Sequence, residues 1–132
     1  ALLKRQFEKA GDKRFNWIIA EGHKQPFQVY NTKFIASHGD EAHGGSGIAS
    51  LLSPLMIQAA KLKRLHDYDY WLIGHWHQLA AFKNVRVNGA GKGFDEYAAI
   101  KSFEYQPPQQ DLFFVSPQHG ITASWPIFLE DK

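Results

Sequence analysis

The chain has 132 residues and a mass of 15.0 kDa, which suits one domain and is too short for two ordinary ones. Hydrophobic residues make up 44% and aromatic residues 14% of the sequence, which excludes a disordered tail. The absence of cysteine excludes a disulfide scaffold, a cysteine-based zinc finger, an iron–sulfur cluster and a thiol nucleophile. A net charge of +2 is too small to indicate nucleic-acid binding, so the unusual feature is the count of 7 histidines.

The start of the chain shows no targeting signal. Charged residues follow Ala1-Leu2-Leu3, so the apolar run of a secretory signal peptide is missing. No apolar stretch approaches the ~18–20 residues that a membrane span requires. We therefore expect a cytoplasmic protein with no membrane partner. Because the first residue is not Met, we also expect the chain to be processed, cut, or numbered from inside a longer protein.

A short helix and a pair of strands are predicted at the N-terminal end. Leu2, Leu3 and Phe7 fall on one side of a helix over residues 1–10, and the mixed stretch that follows is expected to be irregular. Two apolar runs then predict two strands joined by a turn at Asn31-Thr32, over residues 27–30 and 33–37.

The next segment predicts a helix that connects two strands. Apolar residues recur at helical spacing over residues 48–65, and basic residues gather near its end, where they suit the helix dipole. Pro54 either kinks this helix or marks its true start. A compact apolar run over residues 68–73 predicts a buried strand, which completes a strand–helix–strand unit.

The remainder of the chain is predicted to consist mostly of strands. Short strands are expected over residues 79–82 and 85–87. A hairpin is expected from residues 111–115 and 121–125, across a turn at 116–120. This element order predicts a mixed α/β (α+β) fold, with residues 1–132 as one unit.

Three histidines stand where predicted strands end. His75 and His77 flank Trp76 just after Gly74, and an extended backbone would point both imidazoles to one side. His38 follows the strand before the helix. A strand–helix–strand crossover makes its two strands parallel and adjacent, so these three histidines are expected at one edge of the sheet, where open α/β sheets bind ligands. Their convergence predicts a metal site.

Alternatives remain open for the polar residues around this site. The three histidines suit either one zinc ion with a free position for water, or part of a two-metal site in which carboxylates bridge the ions. Asp40 is a candidate to orient the His38 ring by contacting the side of it that faces away from the metal. His43 lies in the same loop as His38 and is ambiguous. The remaining histidines are predicted to be surface or turn residues: His23, His66 and His119.

The glycine-rich loops and the tryptophans also allow two interpretations. The loop at residues 44–47 precedes the helix and suits phosphate binding, but a flexible connector explains it at least as well. Lys92, in a second glycine-rich loop, either meets a phosphate or is solvated. The four tryptophans are predicted to lie in the core, and they are Trp17, Trp71, Trp76 and Trp125. Trp76 is the exception that could instead stack on a base.

Three segments occur together in a fixed order: Ser37-His38-Gly39-Asp40, Gly74-His75-Trp76-His77-Gln78 and Asn88-Gly89-Ala90-Gly91-Lys92-Gly93-Phe94-Asp95-Glu96-Tyr97. In this order they resemble the calcineurin-like metallophosphoesterases, and most closely a branch found in phages and bacteria. The resemblance extends over about residues 27–128, which leaves residues 1–26 as a helical and irregular lead-in.

The resemblance implies a β-sandwich flanked by helices, with two divalent ions (Mn, Fe or Zn) at its edge. It implies that His38 and His75 bind one ion and that His77 binds the other. The implied reaction is hydrolysis of a phosphodiester or phosphomonoester by metal-activated water. The expected ligand is therefore a phosphate-ester substrate, with nucleic acid among the candidates.

The sequence departs from the family in its first half. The family's Asp-x-His and Gly-Asn-His-Asp/Glu motifs are absent, and Gly11-Asp12 lacks the family's context. We therefore expect a C-terminal half that needs an N-terminal half supplied as a separate chain, or that self-associates through uncovered sheet edges. The alternative is a non-catalytic remnant or accessory protein that keeps the fold and binds a partner chain.

Overall fold

The computed structural model describes residues 2–11, 14, 17–41, 48–92, 96–100 and 105–130. The elements in chain order are α1 (Leu2–Lys9), β1 (Lys24–Val29), β2 (Thr32–Ser37), α2 (Ile48–Leu65), β3 (Tyr70–Ile73), β4 (Ala80–Phe82), β5 (Val85–Val87), α3 (Glu96–Ile100), β6 (Gln109–Ser116) and β7 (Gly120–Phe128). The described chain is mixed α/β, as predicted, with a five-stranded sheet and a two-stranded sheet.

The larger sheet combines two hairpins with a parallel centre. Its strand order is β1-β2-β3-β5-β4, in which β2 pairs with β3 and β3 pairs with β5 in parallel. The outer pairs, β1–β2 and β4–β5, are antiparallel. The connection through α2 therefore places β2 and β3 side by side, which confirms the strand–helix–strand prediction. As a result, the segments after β2, β3 and β5 all start at the same end of the sheet, where the carboxyl ends of these parallel strands lie. We call this end the carboxyl edge.

Helix α2 covers one face of this sheet. Leu55, Ala59 and Leu62 are spaced by four and three residues, so they share one face of the helix, and all three are buried. They form one apolar cluster with buried residues of β2, β3 and β5: Ile35, Trp71, Ile73, Val85 and Val87. Each such aliphatic side chain contributes about 1.5–3 kcal/mol when it is fully buried, so this cluster is the main stabilising element of the fold.

The two-stranded sheet covers the opposite face. Phe34 of β2 is buried, and its ring stacks on Tyr70 of β3 and on Phe113 of β6, with centroid distances of 5.7 and 6.0 Å. Beside these rings, the guanidinium of Arg86 lies 3.4 Å from the carboxylate of Asp111. The described elements thus form three layers, which are helix α2, the five-stranded sheet and the two-stranded sheet.

The structure corrects the prediction for one tryptophan. Trp125 is 51% exposed, because it lies opposite Leu112 on the face of β6–β7 that points away from the larger sheet. By contrast, Trp71 is buried, as predicted, and Trp76, for which the sequence leaves base stacking open, is buried too. In the described chain, the β6–β7 sheet is covered by the larger sheet on one face only, so the apolar residues on its other face stay accessible to solvent.

Several element boundaries differ from the sequence prediction. Pro54 lies inside α2 and does not mark its start. Thr32 pairs with Val29, so the first hairpin turns at residues 30–31 rather than 31–32. Helix α3 has no counterpart in the sequence analysis. The loop at residues 44–47 and His43 lie outside the described residues. No helix in the described part of the chain is long and apolar enough to cross a membrane.

A network of amide hydrogen bonds joins the two sheets after β5. The Asn88 side chain donates from Nδ2 to Oε1 of Gln110 (2.6 Å) and accepts at Oδ1 from the backbone N–H of Asp111 (2.8 Å). The Gln110 side chain in turn donates to the carbonyl of Gly89 (3.0 Å). This segment approaches β6 so closely that a Cβ at Gly89 would lie 2.4 Å from the carbonyl oxygen of Gln109.

We therefore predict that Gly89→Ala destabilises the protein by about 1–3 kcal/mol, because the backbone of Gln109 must move to admit a methyl group. Urea unfolding followed by tryptophan fluorescence measures the loss. Gly22→Ala is the matched control, since a Cβ there meets nothing within 4 Å, and its effect should stay within about 0.5 kcal/mol. Equal stability of the two variants would contradict the close approach at Gly89.

Candidate metal centre

Two histidines meet at the edge where the parallel strands end. His38 follows β2 directly, and His75 follows β3 after Gly74. The N–H of Gly74 donates to the carbonyl of His38 at 3.0 Å, which fixes the two segments side by side. Nδ1 of His75 consequently lies 3.0 Å from Nε2 of His38, and the two rings are nearly perpendicular. The predicted convergence of these two residues is confirmed.

Gly39 permits this close approach. Its φ is +105°, a conformation that L side chains rarely adopt, and a Cβ would lie 3.1 Å from the Cβ of Ile73. The same Cβ would lie 3.2 Å from the carbonyl oxygen of Gly74. A side chain at residue 39 would therefore push the loop after β2 away from β3, and would separate His38 from His75.

Trp76 connects the loop after β2 to the loop after β3 from the core side. Its side chain is 8% exposed, and its indole N–H donates to the carbonyl of Gly39 at 3.3 Å. The residue between the two histidines of the His-x-His motif is thus a core residue that connects the segments after β2 and β3. The alternative that Trp76 stacks on a base does not fit this burial.

The backbone of the His-x-His segment is not extended. His75 and His77 have φ values of +66° and +55°, in the left-handed region, and the N–H of Trp76 donates to the carbonyl of Gly74 at 2.8 Å. The expectation that an extended backbone aligns the two imidazoles is therefore wrong. A left-handed conformation at a residue other than glycine costs on the order of 1–3 kcal/mol, and such strain is typical of functional loops.

The described residues bring together two candidate metal ligands rather than a complete set. No group of three or more His, Asp or Glu side chains within the described ranges lies in an arrangement that could hold a metal ion. His77 is half-buried and lies close enough for its charge to lower the pKa of His75. Its assignment to a second ion stays a prediction.

Glu41 is used to build the loop that carries His38. Its carboxylate accepts hydrogen bonds from the hydroxyl of Ser37 (2.8 Å) and from the N–H of Gly39 (3.2 Å), and it pairs with Lys24 at 3.2 Å. Asp40 is exposed, and its charge acts to raise the pKa of His75. Its proposed role in orienting His38 stays a prediction.

Burial lowers the pKa of the His75 imidazole below its ordinary value. The charges of His38 and His77 lower this pKa further, and together with burial they outweigh the opposite effect of Asp40 and Glu41. His75 therefore keeps a neutral ring with a free lone pair to lower pH than an exposed histidine does. A neutral imidazole is the form that binds a metal ion.

The geometry of the pair suits one edge of a metal site. Two nitrogens bound to one tetrahedral ion at 2.0–2.1 Å would be about 3.3 Å apart. The observed separation of 3.0 Å between His38 and His75 is close to this distance, and it also suits one N–H···N hydrogen bond between neutral rings. The pair would fill two of the four positions around such an ion.

The remaining histidines of the sequence prediction lie away from this centre or outside the described residues. His23, His66 and His119 are exposed, as predicted for surface or turn residues. Lys92 is also exposed. Sequence reasoning missed the structural role of Trp76, although its position between two histidines placed it next to the site.

Comparisons with protein-family models, with curated proteins and with solved structures found no match to this chain.

We predict that the carboxylate of Glu41 makes stability depend on acid pH. Burial acts to raise the pKa of Glu41, but hydrogen bonds from its own backbone, Ser37 and Lys24 outweigh it and hold the pKa below its ordinary value of 4.5. The stabilisation is therefore present above about pH 4.5 and is lost as the pH falls through the lower, folded-state pKa.

Urea unfolding at pH 7, 5 and 3 tests this dependence with Glu41→Gln. The variant should be less stable than the native chain at pH 7, and the difference should shrink at pH 3. Glu21→Gln, at an exposed position, serves as the control and should follow the native chain throughout. A stability difference for Glu41→Gln that does not change with pH would contradict the prediction.

Proposed function

We propose that this chain is the C-terminal half of a metal-dependent phosphoesterase of the calcineurin-like kind. The observation that carries the proposal is the His38–His75 pair, whose ring nitrogens lie 3.0 Å apart at the carboxyl edge of two parallel strands. Open α/β sheets place their ligands at this edge. The strained backbone at His75 and His77 supports it, because folds retain such strain mainly at functional sites.

The third segment of the family resemblance starts at the same edge. β5 is parallel to β3, and Asn88 follows it directly. The N–H of Asn88 donates to the carbonyl of Ile73 (2.8 Å), so this segment begins beside the one that carries His75. The Asn88 side chain is hydrogen-bonded to Gln110 and to the backbone of Asp111. Its role in this proposal is therefore to position the loop after β5 rather than to bind an ion.

The proposed activity is hydrolysis of a phosphodiester or phosphomonoester, with nucleic acid as one class of substrate. Two divalent ions (Mn, Fe or Zn) would supply Lewis-acid activation of water and neutralise charge on the phosphoryl oxygens. In this proposal His38 and His75 hold one ion and His77 the other. The contribution of this chain is to keep His75 unprotonated and to hold the imidazoles in place through Gly39 and Trp76.

The proposal includes a missing partner, which would act with this chain in the cytoplasm of a bacterium or a phage-infected cell. Within the described residues two histidines meet, whereas a two-metal site needs several ligands for each ion and bridging carboxylates. The sequence contains no Asp-x-His and no Gly-Asn-His motif that could supply them. An N-terminal half on a separate chain would provide the remaining ligands.

The same incomplete ligand set favours a second candidate function, which is a non-catalytic remnant or accessory protein. Such a protein would keep the three-layer arrangement and bind a partner chain, with no hydrolysis. The two candidates differ in whether metal binding and activity appear when the N-terminal half is supplied.

We predict that the isolated chain binds Mn²⁺ or Zn²⁺ weakly and hydrolyses a generic phosphodiester negligibly. Coexpression with the product of an upstream reading frame that encodes the missing motifs should tighten metal binding and produce hydrolysis. His75→Ala should abolish both gains, whereas His66→Ala, at an exposed position, should change neither. Isothermal calorimetry with manganese and a chromogenic phosphodiester assay measure the two effects.

Three outcomes would contradict parts of this proposal. Robust activity of the isolated chain, lost in His75→Ala, would remove the need for a second half. A single zinc ion per chain, lost in each of His38→Ala, His75→Ala and His77→Ala, would indicate a mononuclear zinc protein. No metal binding and no hydrolysis with the N-terminal half present would favour the accessory role.

We also predict that the chain associates, with the N-terminal half or with itself, through the outward face of β6–β7. Leu112, Phe114, Trp125 and Ile127 share this face and are 43–55% exposed. Apolar patches of this kind mark interaction sites. Sedimentation at rising concentration should detect a complex, and Phe114→Ser with Trp125→Ser should weaken it. A monomer at high concentration, with or without the N-terminal half, would contradict the prediction.

A further inference from the structure

A polar pocket lies at the end of the larger sheet opposite to the histidines. It has a volume of about 470 Å³, within the ordinary range for small-molecule sites. We call it the amino-end pocket, because its lining residues lie at the amino ends of β2 and β3 and in the turns of three hairpins. The lining residues that matter here are Asn31, Thr32, Tyr70, Lys83, Gln118 and His119. None of them belongs to the candidate metal centre.

The walls of this pocket are held in place by hydrogen bonds. The Asn31 side chain donates to the carbonyl of Pro117 (3.1 Å), which ties the first hairpin turn to the third. The hydroxyl of Ser116 accepts from the N–H groups of Gln118 and His119, at 3.2 and 3.4 Å. The second turn is fixed to β3, because the N–H of Trp71 donates to the carbonyl of Asn84 (2.8 Å). The pocket is therefore largely preformed.

The floor of the pocket is equally ordered. Gly120 has a φ of +69°, and a Cβ there would lie 3.3 Å from the ring of Tyr70 and 3.5 Å from the hydroxyl of Thr32. The third turn thus rests directly on Tyr70. Thr32 is 5% exposed, so it offers a polar group at the bottom of the pocket rather than on the open surface.

One residue of the lining is held in a strained conformation. Lys83 has a φ of +48°, where glycine is favoured, in the two-residue turn between β4 and β5. Tyr30 has a φ of +52° in the corresponding turn between β1 and β2 and does not line the pocket. Lys83 thus combines a conformation that glycine would adopt without strain with a place in the lining of the pocket.

The lining offers an anion two donor side chains, beside one carboxylate. Lys83 supplies a cation, and His119 supplies a ring N–H from the opposite turn. The carboxylate in the described lining is that of Asp69, and it already accepts a hydrogen bond from the N–H of Lys33 (2.8 Å). An adjoining cavity of about 540 Å³ shares Lys83 and Asp69 with this pocket and is lined in part by Met56 and Ala59, so it can take an apolar group attached to the anion.

We propose that the amino-end pocket binds the phosphate group of a small organic phosphate, held by Lys83 and His119 with the apolar part in the adjoining cavity. This site is separate from the histidine centre and does not depend on the proposed hydrolysis. Inorganic phosphate and phenyl phosphate share the anionic group and differ in the apolar part, so they serve as the two probes.

Titration of the ¹⁵N-labelled 132-residue chain, followed by amide NMR shifts, tests the proposal. Phosphate should shift the amides of Asn31, Lys83 and His119, and phenyl phosphate should bind more tightly. Lys83→Gly should weaken binding of phenyl phosphate at least tenfold, while its melting temperature stays equal or rises because glycine relieves the strain. His119→Gln should also weaken binding.

Tyr30→Gly is the matched control, because it relieves the same kind of strain at a residue that does not line the pocket. It should leave binding unchanged. The proposal is overturned if neither probe shifts these amides at 50 mM concentration, if Lys83→Gly binds as tightly as the native chain, or if the shifts occur around His38 and His75 instead.

Discussion

The parallel pairing of β2 with β3 is the constraint on which the rest of the structure depends. Parallel neighbours need a long crossover, and α2 is that crossover. Its buried face packs on the sheet through Leu55, Ala59 and Leu62, each of which belongs to the main apolar cluster. Because the crossover returns the chain to the same end of the sheet, the segments after β2 and β3 start side by side. The proximity of His38 and His75 follows from this topology rather than from any attraction between the two rings.

The loops at that edge hold strain that the core must offset. Two left-handed residues, His75 and His77, cost on the order of 1–3 kcal/mol each. The hydrogen bond from Trp76 to Gly39 contributes about 0.5–1.5 kcal/mol, too little to compensate alone. Burial of the indole is the larger effect, since removal of a core tryptophan side chain costs about 3–5 kcal/mol. Packing of Trp76 therefore keeps the histidines in an unfavourable backbone conformation.

The two-stranded sheet shows the same dependence on packing. An isolated hairpin is marginally stable in water, so β6–β7 relies on its contacts with the larger sheet. Phe113 supplies the apolar contact through Phe34, and Asp111 and Gln110 supply the polar ones through Arg86 and Asn88. The opposite face has no such cover in the described chain and leaves Phe114 and Trp125 exposed. The proposed association would bury this exposed face against a partner chain.

The sequence by itself determined the types of all the described elements except α3, the parallel strand–helix–strand unit and the meeting of His38 with His75. These follow from local periodicity and from the handedness and length of crossovers, which are properties of short segments. Only the tertiary structure decided the left-handed backbone at His75 and His77, the core position of Trp76 and the exposure of Trp125. It also decided the amino-end pocket, whose lining comes from three turns far apart in the chain. The physical reason is that backbone strain and burial depend on which surfaces meet, and periodicity within a segment carries no information about its neighbours.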